Sequence, residues 1–439
     1  MSAEPQEAPQ AAPYPPASYG WYVIGVLLVA SMFSYLDRSV ITLLVPMIRK
    51  DLNLSDTQFS LLQGLAFAIT FAVAGLPLGR LVDRANRRLI ICAGVATWSV
   101  MTILCGLSTT FWQLFAARMG VGIGEACLAP AAASLISDYF ARERRGRVMG
   151  VMQAGTPLGS GLAKMLGGLT LGLVTTAGVA SLPLVGSLAP WQAVFVLVGA
   201  PGFLAALLVL TIREPARRDL ARARAGDAGF VAYLRTHART FVFLFAAYTF
   251  VSMCGFANTS WSPVIFMRTF AMPPAQVGVV IGSVVMAAGV AAALTGGILS
   301  DVFARRFPED GRFRMVIMLL LVTIAAFLTL SLSKVYLLSL AAYGLASFST
   351  FAITSSAMAA IQDVAPNEYR GQLVALNLVC ANLIGMGLAP TAVAFITDYG
   401  FKSDVMLQYS LGVVVIPAAS LALVCVLLGL PAYRRTRWR

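Results

Sequence analysis

Gly79-Arg-Leu-Val-Asp83-Arg-Ala-Asn86-Arg87-Arg88 stands in the first half of the chain, and Gly297-Ile-Leu-Ser-Asp301-Val-Phe-Ala-Arg305-Arg306 stands at the corresponding place in the second. Glycine, aspartate and the arginine pair keep their spacing. A second pair of stretches repeats in the same sense and at a slightly longer interval: Asp138-x4-Glu143-x-Arg145-Gly146 and Asp363-x4-Glu368-x-Arg370-Gly371. Self-similarity at a nearly fixed interval marks a duplicated structural unit, with a short insertion in one copy.

Outside these polar stretches the chain is apolar. Of 439 residues, 59% are hydrophobic and 12% charged, and the mean hydropathy is +0.81. A soluble domain is nearer half apolar and about a quarter charged. Helices of about 20 apolar residues cross a bilayer, and twelve such segments fit between the loop signals: 21–46, 59–79, 89–107, 111–137, 147–170, 190–212, 240–266, 276–299, 314–332, 335–361, 372–397 and 405–430. The fold class is therefore an all-α membrane protein, with twelve transmembrane helices in two pseudo-symmetric six-helix bundles. The expected division is a disordered tail over 1–19, bundles over 20–212 and 240–432, a basic linker over 213–239 and a basic tail over 433–439.

The net charge of +13 raises the question of nucleic acid. Its distribution answers it. Of the 32 Lys and Arg, 24 lie in alternate connections, the linker and the tail, five lie in the opposite connections, and three lie within spans. This is the positive-inside pattern, which predicts a multi-pass protein of the plasma (inner) membrane with both termini cytoplasmic. No nucleic-acid partner is expected. The six cysteines lie in apolar runs without ligand spacing, so neither a metal site nor a disulfide framework is expected. There is no phosphate-binding loop and no span histidine to serve a nucleophile, which speaks against an enzyme.

Parallel six-helix repeats joined by a basic linker are the build of a transporter whose halves rock about a midplane site. The stretch 79–88 resembles the signature loop of the major facilitator superfamily, with Asn86 where that pattern usually has glycine, and Arg118-x3-Gly122 resembles its second motif. Tyr35-Leu36-Asp37-Arg38, Gly122-Ile-Gly124-Glu125-Ala126 with Pro130, and Gly159-Ser160-Gly161-Leu162 resemble spinster-like transporters of that superfamily. The likeness spans the chain. It implies the major facilitator fold and proton-linked movement of amphipathic lipids such as lysophospholipids or sphingoid phosphates. It also implies a cytoplasmic gate at Asp83, Arg87, Arg88, Asp138, Arg145, Asp301 and Arg305.

Intramembrane ionisable groups are costly and by default functional. They concentrate in the first bundle. Asp37 and Arg118 share a depth and form an expected ion pair, while Glu125 lies two turns further along the helix of Arg118. Asp37, Glu125 and Arg118 are the candidate proton-coupling residues. Arg38 is placed to hold Glu125, to screen Asp37 or to receive an anionic headgroup. Lys164 is expected to snorkel to the outer interface. The second bundle has no charge deep in its spans, and its polar groups are neutral. The candidate substrate-binding set is Arg38, Arg118, Glu125, Asn258 and Trp261. The expected function is a monomeric proton-coupled transporter of an amphipathic lipid-like substrate by alternating access, with protons as coupling ion and no cofactor; the alternative is symport of a small organic anion.

Overall fold

The computed structural model describes residues 14–177, 181–182, 186–217, 227–366 and 369–436. Among these, twelve helical spans are long and apolar enough to cross a membrane: Ala17–Leu52, Asp56–Gly75, Arg87–Gly106, Phe111–Tyr139, Arg147–Thr176, Pro190–Val209, Ala238–Thr269, Pro274–Arg306, Gly311–Leu332, Tyr336–Ile361, Arg370–Phe401 and Asp404–Thr436, here spans 1 to 12. The chain is a multi-pass helical membrane protein. A two-residue antiparallel pairing of Ser181–Leu182 with Gly186–Ser187 lies between spans 5 and 6.

Several boundaries differ from the sequence reading. Span 1 begins at Ala17, inside the expected disordered tail, of which residues 1–13 lie outside the described residues. The linker contains a helix, Asp227–Thr236, and the basic tail stays helical to Thr436. Charged residues extend helices beyond the apolar window because their side chains reach water while the backbone keeps its intrahelical bonds. Caps set some starts: Ser55 and Gln58 form a reciprocal capping box at span 2, and the Asn86 side chain accepts from the Leu89 amide at span 3.

Spans 1–6 and 7–12 form two bundles, joined by packing of span 5 on span 8 and of span 2 on span 11. Small residues make this close approach possible. A Cβ on Gly161 would meet the Gly282 carbonyl oxygen at 2.7 Å, one on Gly168 the Ala275 oxygen at 2.6 Å, and one on Gly64 the Met386 oxygen at 2.6 Å. Gly64 and Met386 both lie in π-helical turns, Leu61–Leu65 and Ala381–Leu388. These contacts run from the middle of their helices, at Gly161 and Met386, into the arginine-poor halves, at Gly168 and Gly64. Toward the arginine-rich end Val73, Leu81, Ile298 and Val302 are exposed. The bundles thus meet closely toward the arginine-poor end.

Candidate functional site

Span 4 is broken at Ala126 and Cys127, between helical segments Phe111–Glu125 and Leu128–Tyr139, and Glu125 is the last residue before the break. Gly122 and Gly124 bring this segment against Phe67 of span 2 and Gly94 of span 3, which fixes where the carboxylate points. Glu125 Oε2 accepts from Ser34 Oγ at 2.5 Å and from Arg38 Nε at 2.5 Å, and the Arg38 Nη2 group completes the ion pair. Glu125 Oε1 is buried without a partner. Of the alternatives open for Arg38, the structure selects the grip on Glu125.

The Arg38 side chain is 26% exposed, and its guanidinium lies 4.3 Å from the Phe67 ring centroid, with Phe71 at 5.6 Å. It is the one member of this charge cluster that is not buried. Arg118 and Asp37 do share a depth, yet Arg118 Nη1 donates to the Asp37 main-chain carbonyl at 3.1 Å rather than to its carboxylate. Asp37 Oδ1 and Arg118 Nε are buried without partners. Helix rise gives depth but not the direction of a side chain, so the expected ion pair is corrected to a main-chain contact beside an unbonded carboxylate oxygen. Two buried carboxylates and two arginines therefore share one site with three unsatisfied polar atoms, an arrangement whose bonding changes when a proton is added or removed.

Asn258 and Trp261 are not part of this cluster. Asn258 is buried, donates to Ser347 Oγ at 3.2 Å and accepts from Ser262 Oγ at 2.6 Å, and the Trp261 indole donates to the Pro390 carbonyl at 2.8 Å. Their polar groups hold spans 7, 10 and 11 together, and their assignment to the substrate site is withdrawn for this conformation. Lys164 is also corrected: it is fully buried against span 8 and does not snorkel.

The expected gate residues sit at the arginine-rich end, where the structure groups them within each bundle. Arg87, fully buried, pairs with Asp138 and with Glu214 Oε1 at 2.7 Å, and the Arg88 amide donates to Glu214 Oε2 at 3.1 Å. Arg145 donates to the carbonyls of Phe140 at 2.9 Å and Ser137 at 2.6 Å. Asp83, Asp301 and Arg305 are exposed. In the second bundle Arg312 Nε pairs with Asp363 Oδ2 at 2.9 Å. Arg312 follows Arg87 at the same interval as Asp363 follows Asp138, so the short insertion between the motifs makes Arg312, not Arg305, the counterpart of Arg87.

At the arginine-poor end, sequence reasoning missed an ion-pair network that ties the bundles together. Asp56 of span 2, fully buried, receives Arg268 of span 7 through both oxygens at 2.6 and 2.7 Å and Arg49 of span 1 at 3.1 Å. Arg49 reaches Asp404 of the second bundle at 2.7 Å, and the Thr57 amide donates to Asp398 at 2.7 Å. Carboxylate oxygens of Asp56, Asp398 and Asp404 approach within 4.8 Å of one another, and the two guanidiniums of Arg49 and Arg268 pair with Asp56 and Asp404. A signal was available: Arg49 and Arg268 are separated by nearly the interval that relates Asp83 to Asp301, and so are equivalent positions at the ends of spans 1 and 7.

The geometry can be set beside known proteins. Residues 27–390 match the model of the Major Facilitator Superfamily. An MFS-type efflux pump of Mycolicibacterium smegmatis is 33% identical over 294 residues, which are 66% of this chain and 64%, just under two thirds, of that protein. Protein spinster homolog 1 of Xenopus laevis is 26% identical over 402 residues, 86% of this chain and 72% of that one. A bacterial homolog to the human lysosomal transporter Spinster, solved inward-facing and unoccupied, superposes with a TM-score of 0.80 at 26% identity, covering 97% of this chain and 100% of that chain. The twelve spans, the duplicated loop motif and the charge cluster of spans 1 and 4 accordingly have one explanation: the chain belongs to the Major Facilitator Superfamily and is spinster-like within it.

Proposed function

We propose that this protein is a proton-coupled secondary transporter that moves an amphipathic, lipid-like substrate of lysophospholipid or sphingoid type by alternating access. The arginine-rich end is taken as cytoplasmic, with both termini there and the protein in the plasma (inner) membrane as a monomer; the end at which the bundles meet closely is then the outer one. The observation that carries the reading is the Arg38–Glu125 pair. Arg38 is the partly exposed cation of the cluster, and its charge is balanced by a carboxylate whose second oxygen has no partner. A proton on Glu125 Oε1 removes that balance and leaves Arg38 to an anionic headgroup. Loss of the proton restores the pair and expels the headgroup. The ionised Glu125 carboxylate and the headgroup thereby compete for one cation, so proton and substrate bind together, and such a differential effect on two bound states is what coupling requires.

The second bundle supports the substrate class. Its spans offer aromatic, aliphatic and amide groups without deep charge, so a substrate charged at both ends would leave one end unpaired. An amphipath places its head at Arg38 and its chain against the neutral bundle. Uptake into proteoliposomes across a lysophospholipid series, with and without a pH gradient, is the test. Affinity should rise with chain length, and Glu125→Gln should lose gradient-driven accumulation while retaining exchange. Indifference to chain length, with competition by small organic anions, would favour the alternative substrate; accumulation by Glu125→Gln at the parental level would remove the coupling role.

A further inference from the structure

The mechanism above makes no use of Lys164. This residue lies in span 5, where that helix packs on span 8, and its side chain has no exposure. Its own carbonyl oxygen lies 2.7 Å from where a Gly278 Cβ would stand, and Gly161 on the preceding turn meets Gly282, so the seam around it is closed backbone to backbone. The Nζ group has one hydrogen-bond partner among the described residues, Ser160 Oγ at 3.4 Å on its own helix.

The helices packed around it supply no counter-charge. Span 8 carries no ionisable residue over 274–299, and span 6 carries none. Span 1 faces span 5 with Tyr35, whose hydroxyl is engaged by Thr156 at 3.1 Å; its Arg38 is paired with Glu125, and its Asp37 lies beside Arg118. Asp138 in the second segment of span 4 is held by Arg87 at the far end. No described carboxylate lies within ion-pair distance of the Lys164 amine. An ammonium in such a place would be a buried cation with one long hydroxyl contact, and a group so placed either finds a partner or gives up its charge.

We infer that Lys164 is a second proton-exchange group of the conformational cycle: the seam between spans 5 and 8 closes on the neutral amine, and opening of the seam lets the amine take up a proton. On closure the N–H bond of the ammonium breaks, the electron pair stays on nitrogen, and the proton passes to water in the narrowing outer cleft. The sign follows from linkage. Closure releases a proton, so rising pH favours the closed seam, by up to about tenfold per pH unit where the amine titrates. This inference rests on the alternating-access reading but not on the substrate. Its test is made without substrate, so failure here leaves lipid transport and the Glu125 role standing.

The experiment measures spin-label distances across the outer mouth, between Leu173→Cys on span 5 and Leu337→Cys on span 10, both highly exposed, in the full chain freed of native cysteines and held in nanodiscs. The closed, short-distance population of the parent should grow between about pH 7 and 10. Lys164→Met should be closed throughout and lose that alkaline step. Lys164→Arg, which cannot discharge, should hold the mouth open at every pH. Glu125→Gln should keep the alkaline step. An alkaline step that survives in Lys164→Met, or that vanishes in Glu125→Gln, overturns the assignment. Should Lys164→Arg fail to fold, Lys164→Met decides alone.

Discussion

Arg268→Gln tests the outer ion-pair network. The substitution removes both charge-assisted bonds to Asp56 and leaves that fully buried carboxylate with Arg49 at 3.1 Å as its remaining cation. Stranding one member of a buried ion pair costs about 3 to 5 kcal/mol. The lower figure applies, because the Arg268 side chain is 15% exposed and Arg49 stays in reach of Asp56. The penalty falls on the conformation closed at the outer end. At about 1.4 kcal/mol per factor of ten, about 3 kcal/mol raises the open population roughly a hundredfold. The Thr57 amide reports it, since its hydrogen bond to Asp398 at 2.7 Å crosses from one bundle to the other and breaks when they separate. Hydrogen exchange at that amide, measured by mass spectrometry in nanodiscs, should accelerate by about the same hundredfold. Arg314→Gln, at the opposite end, should leave it unchanged. Thr57 protection within threefold of the parent in Arg268→Gln would show that the network does not hold the bundles together.

Two further outcomes follow from the packing and from a pKa. Gly161→Val puts methyl groups where the Gly282 carbonyl stands at 2.7 Å, so spans 5 and 8 must part; a destabilisation of about 1 to 3 kcal/mol, read as a lower Tm, should accompany a longer spin-label distance across the outer mouth. Asp310, outside the spans, is buried, which opposes ionisation, but the Arg434 and Arg314 guanidiniums outweigh burial and hold its carboxyl below the usual carboxylate range. A depressed carboxyl stabilises the fold above its unfolded pKa near 4 and loses that contribution as pH falls through the lower folded value. Asp310→Asn should therefore lower stability at pH 7 by at most about 1 kcal/mol, because its partners are 46% and 41% exposed, and the difference from the parent should shrink only below about pH 4. Thermal unfolding at pH 7 and pH 3 checks it.

The sequence made some levels of this structure legible and hid others. Apolar runs, charge asymmetry and the repeated Gly-Asp-Arg-Arg stretch identify twelve spans in two bundles because each is a property of one helix or one loop. The charged residues of spans 1 and 4 are legible for the same reason: a carboxylate or guanidinium among apolar neighbours stands out. Pairings between helices were not. Helical rise put Arg118 level with Asp37, yet azimuth turned it to the carbonyl, and the same uncertainty left Arg38 with three possible partners. Lys164 was misplaced because distance along a helix says nothing of whether lipid or another helix covers it. Arg49 and Arg268 entered only as charges that orient the chain, although their repeat spacing marked them as symmetry mates.

The linker holds a consequence of a different kind. Its first residues belong to the first bundle: Glu214 pairs with Arg87, and Arg217 donates to the Val82 and Ala85 carbonyls at 2.7 and 2.5 Å. Its helix Asp227–Thr236 belongs to the second, where Tyr233 donates to the Val364 carbonyl at 2.5 Å and Phe230 packs on Tyr369. Each bundle thus carries its own share of the connection and its own arginine–aspartate clamp. The described contacts of the linker thus end at 217 on one side and resume after 227 on the other, and none of them depends on the covalent joint between. Two polypeptides divided at that joint and made separately would retain every interaction named here, and confinement to the plane of one membrane would supply the encounter that the joint otherwise guarantees.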